Sequence, residues 1–291
     1  MIGHYTKEMY IRSKPMRKRL RIKQPGLYLS GNKYQYNGIV FNGIMYVQKG
    51  DDILVYEVEN GEVTGKYSNE LMGQLYDDPR SFIEVPGKKI QEFYEGKPYS
   101  GRLYHFDHNY CVKEEMFHKG LPVLAIAWYP DGGLKLYERS IGKIRARFEF
   151  YEHGVVSSVQ FDEFGYLADV LSLAISGNGR LCKLNLANEY PTILNKIVPG
   201  LPFPNPATNE ALTDYKFGDF VQLSGNGLGK EFFELMVHKK CLAETSIFSA
   251  EVDRFEKIYV KEIGRLPQLK KLIIKDGVGD LTKELLKIKE Q

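Results

Sequence analysis

Seven consecutive residues, Ser224-Gly225-Asn226-Gly227-Leu228-Gly229-Lys230, are the part of this 291-residue chain most like a phosphate cradle. Backbone N–H groups at a glycine-rich strand-to-helix turn can bind phosphate oxygens. A Walker A loop, however, needs glycine where Ser224 stands and a magnesium-holding Ser or Thr where Glu231 stands. The third glycine also comes one residue too early for the dinucleotide fingerprint. A strand-to-helix turn explains these glycines, and no cofactor is expected. His105, His108, Cys111 and His118 form the one dense group of soft ligands. On strands, residues 105 and 108 point to opposite faces, whereas zinc needs four converging donors. The sequence shows no group to orient a Cys–His nucleophile and no oxyanion donor. Surface histidines and a buried cysteine are the expectation, with no metal site. The acid pairs Asp51-Asp52 and Asp77-Asp78 sit beside turn signals, where Asp bonds its own backbone. No catalytic residue is predicted, and the chain reads as a binding protein and not an enzyme.

The elements that would carry a binding surface change character near residue 167. Seventeen of the twenty tyrosines precede that point, while eighteen of thirty leucines follow it. Tyr and Phe suit pleated, half-buried surfaces; Leu at helical spacing suits helices packed on another layer. In residues 121–167, Gly132, Gly142, Gly154 and Gly165 recur at the interval of a strand plus a tight turn. Between them the period is two. In Ile144-Arg145-Ala146-Arg147-Phe148-Glu149-Phe150 the apolar side chains point one way and the charged ones the other. Val155, Val159 and Phe161 repeat the pattern. Single hairpins are barely stable in water, so an extended antiparallel meander is expected. Alternation then places Arg145 and Arg147 outward, with Lys135, Tyr137 and Arg139 beside them on the neighbouring strand. This basic ribbon with an aromatic in it is the candidate partner-binding surface; a solvated sheet face is the other reading.

Earlier segments echo the same layout. Gly96-Lys97-Pro98-Tyr99-Ser100-Gly101-Arg102-Leu103-Tyr104 matches residues 38–46 apart from one missing residue, the self-similarity of a repeat fold. The phrases Gly-Lys-Pro-Tyr-Ser-Gly, Tyr-Pro-Asp-Gly-Gly-Leu and Phe-Tyr-Glu-His-Gly, within residues 36–167, resemble the variant MORN repeats of bacterial YwqK-type antitoxin proteins. The Gly-x-Gly pair of the usual MORN repeat is missing, and the spacing before residue 120 is irregular. The resemblance implies a cytoplasmic immunity protein that occludes the active site of a cognate toxin.

The remainder alternates short apolar strands with helical patterns. Leu181-Cys182-Lys183-Leu184-Asn185-Leu186 gives Leu-x-x-Leu-x-Leu, and Val221-Gln222-Leu223-Ser224-Gly225-Asn226 gives a related ending. Leu242, Thr245 and Ile247 repeat the step, as do Leu269, Leu272 and Ile274. Helices are expected at residues 231–240, 250–263 and 281–289, with Ser249 and Asp280 as caps for the last two. This half resembles a short, degenerate leucine-rich repeat array; a plain α/β domain is the alternative. The fold class expected is therefore an α+β repeat protein: a basic arm (1–24), a MORN-like hairpin meander (25–167) and a leucine-rich-repeat-like α/β unit (168–291). The Pro-rich stretch 198–214 is a candidate contact loop.

Charge narrows the partner. Residues 1–24 hold eight Lys/Arg against Glu8 alone, a net +7, which leaves −4 for the rest of a +3 chain. Two readings stand for this segment: a solvated arm, or an arm that contacts RNA or an acidic protein patch. The body is not basic enough for a nucleic-acid binder. Three widely spaced cysteines fit a reducing cytosol better than a disulfide framework. Met1 to Tyr10 lacks the apolar core of a secretory signal, and no apolar run approaches a membrane-spanning length. A cytoplasmic protein-binding role follows as the expectation. A scaffold or nucleic-acid-associated protein using Arg17, Lys18, Arg19 and Arg21 is the alternative.

Overall fold

Three hairpins are closed by pairs of residues that both adopt positive φ: Asn37-Gly38, Asn60-Gly61 and Lys119-Gly120. Such pairs match the right-handed twist of the strands they join, and Asn-Gly is the dipeptide that reaches that conformation most cheaply. Gly132 and Gly154, two of the periodic turn glycines, also have φ near +80°. The computed structural model describes residues 18–50, 52–69, 71, 93–94, 96–141, 144–163, 169–178, 180–186, 217–224, 242–251, 268–274 and 279–280. Gly142, Gly165, the Pro-rich stretch 198–214 and the glycine-rich residues 225–230 lie outside them. The described residues are rich in strand and fall into two compact units.

The first unit comprises Lys14–Lys143 with Glu152–Gly154. Its strands are β1 (Leu20–Lys23), β2 (Tyr28–Ser30), β3 (Lys33–Tyr36), β4 (Ile39–Val40), β5 (Gly43–Lys49), β6 (Asp52–Glu59) and β7 (Glu62–Lys66). They continue with β8 (Phe93–Tyr94), β9 (Lys97–Pro98), β10 (Gly101–Asp107), β11 (Tyr110–His118), β12 (Leu121–Trp128) and β13 (Leu134–Ile141). Strands β10 to β13 form an antiparallel meander, as do β5 to β7. Strand β1 joins these groups, running parallel to β5 and antiparallel to β11. Strands β2, β3 and β4 make a separate small antiparallel sheet, and β8 and β9 pair with each other.

Both faces of β1 are covered. Ile22 packs with Leu27, Phe41, Met45 and Val58 on one side. On the other, Ile44, Tyr46 and Cys111 pack with Tyr104 and Phe106. Leu20–Lys23, which the charge count assigned to an arm, is thus an internal strand. Its alternation explains this: Leu20 and Ile22 face one core while Arg21 and Lys23 share the register face of Ile44 and Tyr46.

The second unit contains Ile144–Tyr151 and the chain from Val155 onward. The division at 143/144 puts the hairpin of β14 (Ile144–Phe150) and β15 (Val156–Glu163) in this unit, where the composition shift had suggested a break at 167. Strands β14, β15, β16 (Asp169–Ile175) and β17 (Leu181–Leu186) are antiparallel. From β17 the sheet turns parallel through β18 (Phe217–Ser224), β19 (Ile247–Glu251) and β20 (Lys271–Ile274). The last strand, β21 (Gly279–Asp280), is antiparallel to β20. These parallel strands fall close to the Leu-x-x-Leu steps of the sequence. Leu242, Thr245 and Leu269 are buried in the turns leading into β19 and β20.

The fold class needs correction on its helical part. Ala250 and Glu251, expected to open a helix, end strand β19, because their backbones pair in register with Leu223 and Ser224. Parallel neighbours do require long crossovers, but the helices expected at 231–240 and 281–289, and all of the helix expected at 250–263 beyond Glu251, lie outside the described residues. What is established is a strand-rich architecture in which each unit carries a mixed sheet.

Candidate functional surfaces

The densest polar group of the first unit is buried. Strand β1 sends the Arg21 guanidinium inward, where Nη1 donates to Glu114 Oε1 at 2.7 Å and to the Tyr46 hydroxyl at 2.9 Å. Nη2 donates to the Tyr67 hydroxyl at 3.2 Å. Tyr46 in turn donates to Glu114 Oε1 at 2.5 Å, and Asn69 Nδ2 donates to Glu114 Oε2 at 3.2 Å. The guanidinium carbon stands 3.6 Å from the Trp128 ring centroid, a stacked cation–π geometry. Arg21, Glu114, Tyr46 and Trp128 are all buried.

Burial and neighbouring charge bear on three of the titratable groups here. Burial alone would lower the Arg21 pKa, but Tyr46, Glu114 and Tyr67 together hold it above its ordinary value. Burial, reinforced by Glu114, pushes the Tyr46 hydroxyl well up. The same two causes push the Cys111 thiol up to about 12. A register shift between His105 and Phe106 leaves Val112 unpaired and turns Cys111 toward this group. A thiol so disposed is neutral and unreactive. The hydrogen bonds of this group tie β1, β5 and β11 together, while Arg21 Nε and Trp128 Nε1 are buried without a hydrogen-bond partner among the described residues.

The remaining soft ligands do not converge. His105 Nε2 meets Glu115 on the surface at 2.6 Å, and His108 Nδ1 meets Asp107 at 2.8 Å. Among the described residues there is no group of three ligating side chains placed to hold a metal.

The predicted ribbon separates in the structure. Lys135 is exposed, and its ammonium lies 5.7 Å from the Tyr129 ring centroid. Tyr137 is completely buried, opposite Ile126, so it cannot line a surface. The cause is local: Trp128 pairs with Leu134 and Ala127 with Leu136, leaving Lys135 as an extra residue that reverses the alternation. Arg139 is half-buried, as are Arg145 and Arg147, which belong to the other unit. Arg147 Nη2 donates to Glu149 at 2.6 Å, and Ser158 Oγ donates to the second Glu149 oxygen at 2.9 Å.

Two other surfaces stand out. Tyr28, Leu29, Ile39 and Val40 of the small sheet β2–β4 are all exposed. In the second unit, the parallel strands turn Leu184, Val221, Leu223 and Phe248 into the core. The opposite face is arranged in rows by register. Phe220, Ile247 and Lys271 form one row; Lys183, Gln222, Ser249 and Ile273 form the next. Asn185 and Ser224 follow, linked by a hydrogen bond of 3.2 Å. Phe220 is 48% exposed in the middle of a paired strand. Sequence reasoning caught the strand but missed this phenylalanine; its alternation with Val221 and Leu223 was the available signal.

No family model matches the chain, and no curated protein matches it. Among solved structures, a chain of the GtfA/B complex bound to UDP and GlcNAc is similar at 12% identity, with a TM-score of 0.20. The match covers 67% of this chain and 46% of that one, so this chain spans less than half the length of that neighbour. Among the described residues no helix is long and apolar enough to cross a membrane.

Proposed function

We propose that the protein is a binding protein whose partner lies across the outer face of β17–β20. The observation that carries this reading is the in-register row Phe220, Ile247 and Lys271, with the aromatic half-exposed on a backbone paired in register with β19. An exposed aromatic side chain in one row with a cation is the composition of an interface anchor. A parallel ladder holds such side chains at fixed spacing, so little ordering entropy opposes docking.

The resemblance of residues 36–167 to YwqK-type antitoxins supplies the finer reading: the partner is a toxin, and binding blocks its active site. The nucleic-acid alternative is the weaker of the two. Lys18, Arg19 and Arg21, three of the cations that suggested it, are matched one to one by Asp131, Glu57 and Glu114.

The test is affinity capture by the full chain, followed by the same capture with Phe220→Asp and with Leu29→Asp. Loss of one specific protein with Phe220→Asp, and its retention with Leu29→Asp, supports the reading. Retention with Phe220→Asp, or recovery of RNA without protein, overturns it. The toxin reading adds that co-expression rescues growth from the product of an adjacent toxin gene, and that Phe220→Asp abolishes rescue.

A further inference from the structure

Strand β1 sits in the first unit the way a peptide sits in a receptor. One edge pairs with β5 over its whole length, Leu20 to Lys23. The other meets β11, with Ile22 opposite Tyr110 and the Lys23 amide donating to the Asn109 carbonyl at 2.7 Å. The slot is cut by glycine on both sides. A Cβ at Gly43 would collide with the Leu20 carbonyl oxygen, and one at Gly132 with that of Arg19. The occupant's backbone therefore lies where any other residue type would exclude it.

Side-chain recognition is equally specific. Lys18 pairs with Asp131 of the β12–β13 turn, Arg19 with Glu57 of β6, and Arg21 with Glu114 of β11. Three cations within four residues thus each meet a carboxylate from a different part of the unit. Trp128 stacks on the third cation, and Ile22 fills an apolar pocket between Met45 and Val58.

We infer that the slot between β5 and β11 is a strand-binding site for an extended segment of pattern Lys-Arg-apolar-Arg-apolar, occupied by the chain's own residues 18–22 and open to exchange with the same strand of a second copy. Main-chain pairing supplies affinity and the three carboxylates supply specificity, the division of labour of strand-addition recognition. A second copy carries the matching ligand by construction, which is the condition for exchanging an identical element between protomers. In the intact chain the short connection Gln24–Gly26 keeps the resident strand at an effective concentration of order millimolar. Exchange is therefore slow until that tether is cut. This site is in the first unit and does not depend on the outer face of β17–β20.

The test uses the full chain with a protease site inserted between Pro25 and Gly26, purified folded and then nicked. The uncleaved insertion protein, with the circular dichroism of the parent, is the control for folding. A fluorescent peptide of residues 14–24 is the probe, standing for the strand of a second copy. The expected result is that the cut fragment co-elutes with the body and is replaced by the probe. An Arg21→Ala probe should compete at least about 30-fold more weakly, since it leaves Glu114 buried without its cation. The inference is overturned if the cut fragment never exchanges without global unfolding. It is equally overturned if the fragment leaves and the probe does not bind, or if the Arg21→Ala probe competes as well as the parent.

Discussion

Arg21 and Glu114 are 93 residues apart in sequence and hydrogen-bonded at 2.7 Å in the interior, with the Trp128 ring stacked on the guanidinium. A charge run that reads as a solvated arm therefore supplies the central cation of a core. Lys18 and Arg19 extend the same pattern toward the surface, where each finds a carboxylate. The strand is held by backbone pairing, by the burial of Ile22 and by charge together.

Removing one partner should be costly. Glu114→Ala leaves a buried guanidinium uncompensated, a loss of about 3–5 kcal/mol. Arg21→Met in the same chain should recover part of that loss, giving a coupling energy of about 1–3 kcal/mol in a double-mutant cycle. Guanidinium titration followed by the emission of Trp128, the single tryptophan, reads the site directly. Additive single effects would show that the pair is not formed.

Alkaline pH should loosen the same region. Burial, aided by Glu114, raises the Cys111 thiol to about 12 and the Tyr46 hydroxyl well above its usual value. The fold thus favours the neutral forms. Their contribution is complete below the unfolded thiol pKa near 9 and is lost as pH rises from there toward 12. Stability should be flat with respect to these groups from pH 7 to 9 and fall above it. At pH 8, peptide mapping after treatment with a thiol reagent should find Cys182 modified and Cys111 protected until denaturant is added. Modification of Cys111 in the folded protein would contradict the burial.

Local chemistry was legible in the sequence wherever one residue sufficed to specify it. Gly132 and Gly154 adopt the positive φ their spacing suggested. In β14, Ala146, Phe148 and Phe150 are buried while the alternating Arg145, Arg147 and Glu149 are only half-buried. What escaped was long-range or turned on a single inserted residue. Nothing near Leu20–Lys23 encodes its pairing with Tyr110 or the carboxylate of Glu114. Nor does a two-residue period reveal the bulge at Lys135, which turned Tyr137 from the surface to the core. The leucine steps marked where β17 to β20 lie, but neither their parallel pairing nor the side chain exposed on the outer face can be read from the steps alone.

The bulge makes a prediction that separates pattern from structure. Under simple alternation, Lys135 and Tyr137 are equivalent surface residues. With Tyr137 completely buried, Tyr137→Ala should cost about 3–5 kcal/mol, the range for losing a large aromatic from a core. Lys135→Ala should stay within about 0.5 kcal/mol of the parent. Equal small effects in chemical denaturation would put Tyr137 back on the surface.

Two glycines test the insertion of β1 from the opposite wall. Gly132 and Gly154 have nearly the same φ, +80° and +83°, so alanine at either suffers the same backbone penalty, about 1–2 kcal/mol. Their surroundings differ. A Cβ at Gly154 meets nothing within 4 Å, whereas one at Gly132 strikes the Arg19 backbone. Both belong to the first unit, so one unfolding transition reports on each. Gly132→Ala should therefore cost more than Gly154→Ala by a further 1–3 kcal/mol or so, the usual effect of forcing extra volume into a packed site. The excess should vanish in a chain from which the resident strand has been released, because the colliding carbonyl leaves with it. Equal costs in the intact protein would mean that the backbone of Arg19 does not lie against Gly132.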